Sequence, residues 1–264
     1  MGRRDRVVRT PWDEIRRLAR PPFKDVAVVA LNALLACASW WIVPEGLRDW
    51  VFDYFRGRIG FAVVLGTWML ADTTTTNLLG NDVPSAVAAL QSEISLARLL
   101  RTKALVLGGG IAAVTAAVGA SLAAASSARN WIFLVGLSAL PIGMVALFSL
   151  LGVALPHRTR TLEWRWRNRG RRLMTLRWVS LVLLPYLGVG VVVNAVLVAL
   201  RALAKLVTVA DDADRLGITG YLVLTVCCVA VSVAAYRLAP LLAERLVKHR
   251  RERLLRYLQD PTAG

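Results

Sequence analysis

The sequence contains few of the residue types from which most active sites are built. Its 264 residues include two histidines and three cysteines, and the cysteines lie in apolar runs, where buried thiols are inert. His157 and His249 are far apart and each adjoins an arginine, so they predict neither a metal site nor a catalytic base. The glycine run 108–110 lacks the lysine of a phosphate-binding loop. We therefore expect that the chain is not an enzyme and holds no cofactor or metal of its own.

Long polar segments are also scarce. The longest stretch between apolar runs has roughly 25 residues, which is too short to bury a core of its own. Hydrophobic residues make up 56% of the chain, and the mean hydropathy is +0.54. Both values exceed those of ordinary soluble domains. The sequence therefore predicts a membrane protein without a soluble catalytic domain.

Six apolar runs are long enough to cross a bilayer as helices, since a span needs about 20 residues. They are Val26 to Val43, Ile59 to Leu79, Ala104 to Ala124, Trp131 to Leu155, Val179 to Leu200 and Ile218 to Leu238. A helix satisfies its own backbone groups in hydrocarbon, and an even number of spans returns the chain to the side where it began. We expect an all-α polytopic membrane protein with six transmembrane helices, whose transmembrane domain covers residues 26–238.

The basic residues lie almost entirely on one side of the predicted membrane. Of the 33 lysines and arginines, 26 fall in the N-terminal arm, in residues 80–103, in residues 156–178 and from Arg237 onward. The positive-inside rule therefore places both termini in the cytoplasm, at a bacterial plasma (inner) membrane. The net charge of +16 lies between the spans, which favours anionic lipid headgroups over nucleic acid as a partner.

Each end of the chain carries a predicted basic amphipathic helix. Within residues 1–25, Thr10 can cap a helix in which Trp12 and Ile15 share an apolar face, with arginines opposite. We expect this helix to lie along the cytoplasmic surface of the lipid, with its apolar face in the interface. Residues 239–264 are predicted to form the second basic helix, also in the cytoplasm.

The end of the second predicted span is polar, because it contains Asp72, Thr73, Thr76 and Asn77. An ionisable residue inside a span is costly unless it is paired or hydrated, so these four residues are candidates for a translocation path. The alternative is that the span ends early and leaves Asp72 at the cytoplasmic interface as a helix-end residue. The threonines can then bond to the preceding turn of backbone and need no substrate.

A cytoplasmic segment, residues 82–103, joins the second and third predicted spans. Val87, Leu90 and Ile94 recur in it at helical spacing, whereas Glu93 and Arg98 are polar. The segment leads directly into the third span. We therefore expect one or two short amphipathic helices at the cytoplasmic membrane face; a surface loop that rests on lipid is the alternative.

Residues 86–104 read AVAALQSEISLARLLRTKA. This stretch, together with the six-span topology, resembles the ABC-2 type exporter permeases, in which a small apolar helix is followed by a few basic residues and a lysine at the start of the next span. The sequence has Ser92-Glu93 where the family commonly has Ser-Pro. Residues 201–217 are also shorter than the two re-entrant helices that the family usually has between its fifth and sixth spans.

The resemblance implies a permease subunit that a separate ATPase drives, with ATP and Mg²⁺ bound by that partner. It also implies pairing with a second permease copy or a relative, as a homodimer or heterodimer. Residues 82–103 and the arginine-rich loop would contact the ATPase. The implied coupling residues are Val87, Leu90, Glu93, Ile94, Arg98, Arg101, Glu163 and Trp164.

Two other classes of function compete with this interpretation. A membrane-embedded assembly or scaffold subunit would use its basic cytoplasmic face to bind anionic lipid or an acidic partner, and it would need no coupling helix. An intramembrane enzyme would need acids, bases or metal ligands that converge at one depth, whereas Asp72 has no such companions. The exporter interpretation predicts that replacement of Leu90 and Ile94 by aspartate leaves the protein inserted in the membrane but uncoupled from its ATPase.

Overall fold

The fold is known from a computed structural model. It describes residues 7–21, 23–47, 49, 59–70, 73–91, 93–123, 128–156, 175–176, 178–184, 187 and 218–260. Those residues form helices joined by turns, without any strand, which agrees with the predicted all-α class. The described helices are α1 (Pro11–Leu18), α2 (Lys24–Ile42), α3 (Ile59–Leu70), α4 (Thr73–Thr76), α5 (Val83–Leu90), α6 (Leu96–Ala123), α7 (Ala128–Ala154), α8 (Ile218–Lys248) and α9 (Arg251–Gln259).

Three of these helices are long and apolar enough to cross a membrane. The qualifying stretches are Leu96–Ser121, Trp131–Ala154 and Ile218–Lys248, and they correspond to the third, fourth and sixth predicted spans. The first predicted span corresponds to α2 and the second to α3, while most of the fifth lies outside the described residues. The chain is therefore a helical membrane protein by the length and composition of these three helices.

Helices α6 and α7 pack as an antiparallel hairpin, as the short connection between them predicts. Gly108 approaches Ile142, and farther along α6 Gly119 approaches Leu134. At Gly108 a Cβ atom would lie 2.7 Å from the Cα of Ile142, so only glycine fits this crossing. Small residues at helix crossings are typical of membrane proteins, because close backbone approach replaces the hydrophobic driving force that lipid does not supply.

Helices α7 and α8 run parallel and repeat one contact after seven residues. Thr225 Oγ1 donates to the carbonyl oxygen of Ile132 at 2.7 Å, and Ser232 Oγ donates to that of Ala139 at 2.6 Å. Ser232 Oγ also accepts from the backbone N–H of Gly143 at 3.0 Å. Two turns of helix separate the two contacts on both partners, so the helices keep one register along the interface.

The second predicted span is not a continuous helix to Leu79, and in this respect the sequence-based prediction is wrong. Among the described residues, α3 covers Ile59–Leu70 and the single turn α4 covers Thr73–Thr76, and residues 77–82 that follow are not helical. Thr75 Oγ1 donates to the carbonyl oxygen of Leu70, and the Asn81 side chain donates to that of Thr74 at 3.4 Å. Side-chain bonds to backbone carbonyls compete with helical bonds near the end of this span, which agrees with its end before Leu79.

One end of the bundle gathers both terminal helices and the segment between the second and third spans. Helix α1 packs on the start of α6, and α9 packs on α5. Arg101 Nη2 donates to the carbonyl oxygen of Arg237 at 2.8 Å, and Arg251 Nε donates to that of Leu90. We call the part of the bundle formed by α1, α5, α9 and the adjoining ends of α6, α7 and α8 the basic end.

Candidate functional site

A buried lysine lies at the centre of the basic end. Lys103, in the second turn of α6, has 1% of its surface exposed. Its Nζ lies 2.7 Å from Asp82 Oδ2 and 3.2 Å from Glu14 Oε2. An ammonium group loses its hydration when it is buried, so it persists only where carboxylates replace that hydration. Asp82 and Glu14 supply this replacement from two different parts of the chain.

Arg17 extends the same network to the start of α2. Its Nε and Nη2 donate to Glu14 Oε2 and Oε1 at 2.9 and 2.8 Å, which is the bidentate geometry that a planar guanidinium favours. The same Nη2 lies 2.8 Å from Asp25 Oδ2. Three carboxylates thus surround two cations, and the network holds a surplus of one negative charge. We call these residues, Glu14, Arg17, Asp25, Asp82 and Lys103, the charge network.

Local sequence fixes the carboxylates of the charge network in place. Thr10 caps α1, since its Oγ1 accepts from the N–H of Asp13 at 3.2 Å, which starts the helix one turn before Glu14. Asp82 caps α5, and its Oδ1 accepts from the N–H of Ser85 at 3.3 Å. Ser85 Oγ in turn accepts from the N–H of Val8 at 2.9 Å, which holds the residues before α1 against α5.

The two buried acids of the network are ionised at neutral pH. Burial by itself raises the pKa of Glu14, but the hydrogen bond from Arg17 and the charge of Lys103 outweigh it, so its pKa lies below the ordinary value. Burial also raises the pKa of Asp82, and the charge and hydrogen bond of Lys103 reverse that shift, so its pKa is lowered too. The same acids raise the pKa of Arg17 further above neutrality, against the effect of its burial.

The charge network joins four elements of the fold. It connects α1, the start of α2, the cap of α5 and the second turn of α6. No group of three or more potential metal ligands converges anywhere in the part of the chain that the structure describes. The arrangement can fix the positions of these four elements relative to one another, because moving any one of them would leave a buried charge unpaired.

The apolar face of the predicted coupling segment packs inside this chain. Leu90 is 1% exposed and belongs to the main core, while Val87 and Ile94 pack against that core. Helix α9 covers this side, and Arg251 donates to the carbonyl oxygen of Leu90. The side chain of Leu90 is therefore enclosed by this chain itself, and its role as a coupling residue stays a prediction.

The polar residues of the coupling segment are the ones that remain accessible. Gln91, Glu93 and Ser95 are exposed in the turn between α5 and α6, and Arg98 is exposed on the first turn of α6. Arg101 instead bonds across to α8. We call residues 91–98 the α5–α6 turn. Glu163 and Trp164, the other implied contacts, lie outside the described residues.

The candidates for a translocation path lie in the packed interior. Thr76 and Asn77 are fully buried, and Thr76 Oγ1 donates to the carbonyl oxygen of Leu181 at 3.0 Å. This contact brings the start of the fifth predicted span against the end of the second. The side chain of Thr73 and all of Asp72 lie outside the described part, so the two interpretations of Asp72 remain as the sequence leaves them.

Sequence reasoning found the N-terminal helix but missed its buried charge. The prediction that Trp12 and Ile15 form an outward apolar face agrees with their exposure, 57% and 42%. Glu14, between them in sequence, points inward and is 2% exposed. Acids among the many basic residues of the arm are a signal for such a role, but the partner of Glu14, Lys103, is 89 positions away, and no local pattern connects the two.

Comparisons with known proteins add no relative: the chain matches no family model, no curated protein and no solved structure.

Proposed function

We propose that this chain is the membrane-spanning subunit of an ABC-type exporter, with six transmembrane helices and both termini in the cytoplasm. The observation that carries the proposal is the α5–α6 turn. Its described polar residues are exposed at the basic end, and Ser95 leads directly into α6, a helix of membrane-spanning length. A contact made at this turn therefore acts directly on a transmembrane helix.

The helix directions support the proposed topology. Helices α7 and α8 are parallel neighbours, since the contacts of Ile132 and Ala139 with α8 advance in the same direction. Between two parallel spans the chain must cross the membrane once in the opposite direction. In this proposal the fifth predicted span, Val179 to Leu200, is that crossing. The basic residues of α1, α6 and α9 meet at one end of the bundle, which the positive-inside rule places in the cytoplasm.

The charge network holds the α5–α6 turn rigidly relative to α1 and α6. Asp82 precedes α5 and Lys103 follows the turn, and their 2.7 Å bond closes the segment on itself. Glu14 fastens the same lysine to α1. When a partner pushes on a segment held in this way, the movement passes to α6 as a rigid-body shift and is not absorbed by local bending.

In this proposal the chain itself binds no nucleotide. ATP and Mg²⁺ belong to a separate ATPase subunit that contacts the α5–α6 turn at the cytoplasmic face of a bacterial inner membrane. A second permease copy or a relative completes the transport path. Two exposed residues of the turn, Glu93 and Arg98, carry opposite charges. This arrangement orients the ATPase on the turn and also adds to its affinity.

The deciding experiment is affinity purification of the full chain in mild detergent, followed by mass spectrometry. We expect an ATPase with Walker motifs in comparable amount. A variant with Glu93→Arg and Arg98→Glu should lose that ATPase. The matched control reverses the same two charges on α9, with Glu252→Arg and Arg256→Glu, and should retain it. Loss from both variants, or from neither, would contradict the assignment of the turn.

A scaffold subunit is the second candidate, and the packing of the interior favours it. Thr75, Thr76 and Asn77 are closed off from solvent, and the apolar side of α5 is covered by α9. A scaffold needs neither an open path nor a free coupling helix. Reproducible purification with other membrane subunits and without an ATPase would support this second function and exclude the first.

A further inference from the structure

A small cavity lies at the basic end, between the start of α9 and the end of α7. It has a volume of about 210 Å³. Val153 and Pro156 form its apolar side, and Arg250, Arg253 and Tyr257 form its polar side. The cavity is separate from the charge network and from the α5–α6 turn, and the proposed export function gives it no role.

The polar side of this cavity comes from a single helix face. Arg250 is the N-cap of α9, and Arg253 and Tyr257 follow it in the helix at spacings of three and four residues, so all three line the same side of α9. Leu254 and Leu258 on the adjoining face are buried in the core, which fixes α9 and therefore the arginines. Neither arginine forms a salt bridge with an acid among the described residues. Two arginines thus line one cavity without a salt bridge to an acid in the described part of the chain.

The chemistry of the cavity points to a phosphate group. Guanidinium groups bind phosphate oxygens bidentately, and two of them match the charge of a dianionic phosphate and exceed the single charge of a phosphodiester. Pockets for drug-sized ligands measure roughly 300–1,000 Å³, so 210 Å³ suits a headgroup and not a whole drug-like molecule. The apolar side formed by Val153 and Pro156 favours a ligand that also carries hydrocarbon.

The position of the cavity favours a lipid as the source of that phosphate. It lies at the end of α7, one of the membrane-spanning helices. On the neighbouring α8, Leu241, Leu242 and Leu246 are exposed, so apolar surface continues to within a few residues of α9. Acyl chains can therefore remain in hydrocarbon while their phosphate reaches the arginines, as at other membrane interfaces.

We propose that this cavity binds the phosphodiester of an anionic phospholipid from the cytoplasmic leaflet, with Arg250 and Arg253 as the ligating residues. The proposal requires that the chain spans the membrane with its basic end inside. It does not require an ATPase partner, so it can fail or succeed independently of the export function.

The test is native mass spectrometry of the purified full-length protein, titrated with phosphatidylglycerol or with phosphatidylcholine. The variant carries Arg250→Gln and Arg253→Gln. The control carries Arg245→Gln and Arg256→Gln, which remove the same charge from exposed positions outside the cavity. A parallel arm measures protection against thermal unfolding by inorganic phosphate, to separate a free phosphate from a lipid. Thermal unfolding without ligand shows that both variants fold.

We expect the cavity variant to bind phosphatidylglycerol about tenfold more weakly than the wild-type protein, because it lacks the two guanidinium groups that form charge-assisted hydrogen bonds. The control should bind within about twofold, and phosphatidylcholine should bind more weakly than phosphatidylglycerol to the wild type. Equal losses in both variants would show that overall surface charge attracts the lipid, and would overturn the site. Specific stabilisation by inorganic phosphate without preference for the anionic lipid would overturn the lipid as ligand.

Discussion

Lys103 Nζ lies 2.7 Å from Asp82 Oδ2 in the interior of the basic end. Asp82 caps α5 and Lys103 belongs to α6, so the bond spans the segment that the sequence predicts as the coupling element. Glu14 joins the same ammonium group from the N-terminal helix. The N-terminal arm is therefore part of the folded structure on which the α5–α6 turn rests.

Replacement of the central lysine should be the most damaging single charge change at the basic end. In Lys103→Met, Asp82 loses its closest cation and Glu14 keeps only Arg17. Removal of one partner from a buried ion pair costs about 3–5 kcal/mol. Thermal unfolding in detergent should show a clear loss of stability, whereas the control Lys248→Met, at an exposed position, should unfold like the wild type. Equal stability of the two variants would refute the role of the network.

Acidification should remove the contribution of Glu14 to the stability of the folded protein. Its pKa is lowered in the folded protein, so its contribution is fully present above its unfolded pKa of about 4.3 and is lost as the pH falls through the lower folded value. The difference in unfolding midpoint between the wild type and Glu14→Gln should therefore be constant from about pH 7 to 5. It should shrink below about pH 4, and a difference that grows there would contradict the ionised state.

The crossing of α7 and α8 should not tolerate a side chain at Gly143. A Cβ atom there would lie 2.5 Å from the Cα of Ser232, and both backbones would have to separate. We expect Gly143→Ala to destabilise the protein by about 1–3 kcal/mol through overpacking. Gly109→Ala is the matched control, because a Cβ atom at that position would meet no described atom within 4 Å and the change also favours helix. Thermal unfolding of both variants measures the contrast.

Truncation of Leu90 should destabilise the chain itself. Its side chain is 1% exposed within the core, and Leu→Ala changes at such positions cost about 2–5 kcal/mol. Leu105→Ala, at a position that is 41% exposed, should cost much less. Unfolding in detergent without any partner present separates this effect from a loss of docking. If Leu90→Ala is as stable as the control, the enclosed position of Leu90 is wrong.

The all-helical class and the positions of the long apolar helices followed from the sequence. Continuous apolar runs of membrane-spanning length predict α6, α7 and α8, and Thr10 with Pro11 predicts the start of α1. These features depend on residues within one or two turns of each other, so local composition and spacing are sufficient to identify them. The end of the second span before Leu79 is one of the two alternatives that its polar run leaves open.

Only the tertiary structure decided which faces of these helices are enclosed. The pattern around Leu90 reads equally as a face for a partner or for the core, because both require apolar residues at helical spacing. Glu14 and Lys103 are 89 positions apart, and Ile132 and Thr225 are 93 apart. The sequence by itself determined that the chain forms apolar helices with a basic end. The buried charge network and the parallel register of α7 and α8 required the fold, because such contacts depend on how distant segments pack.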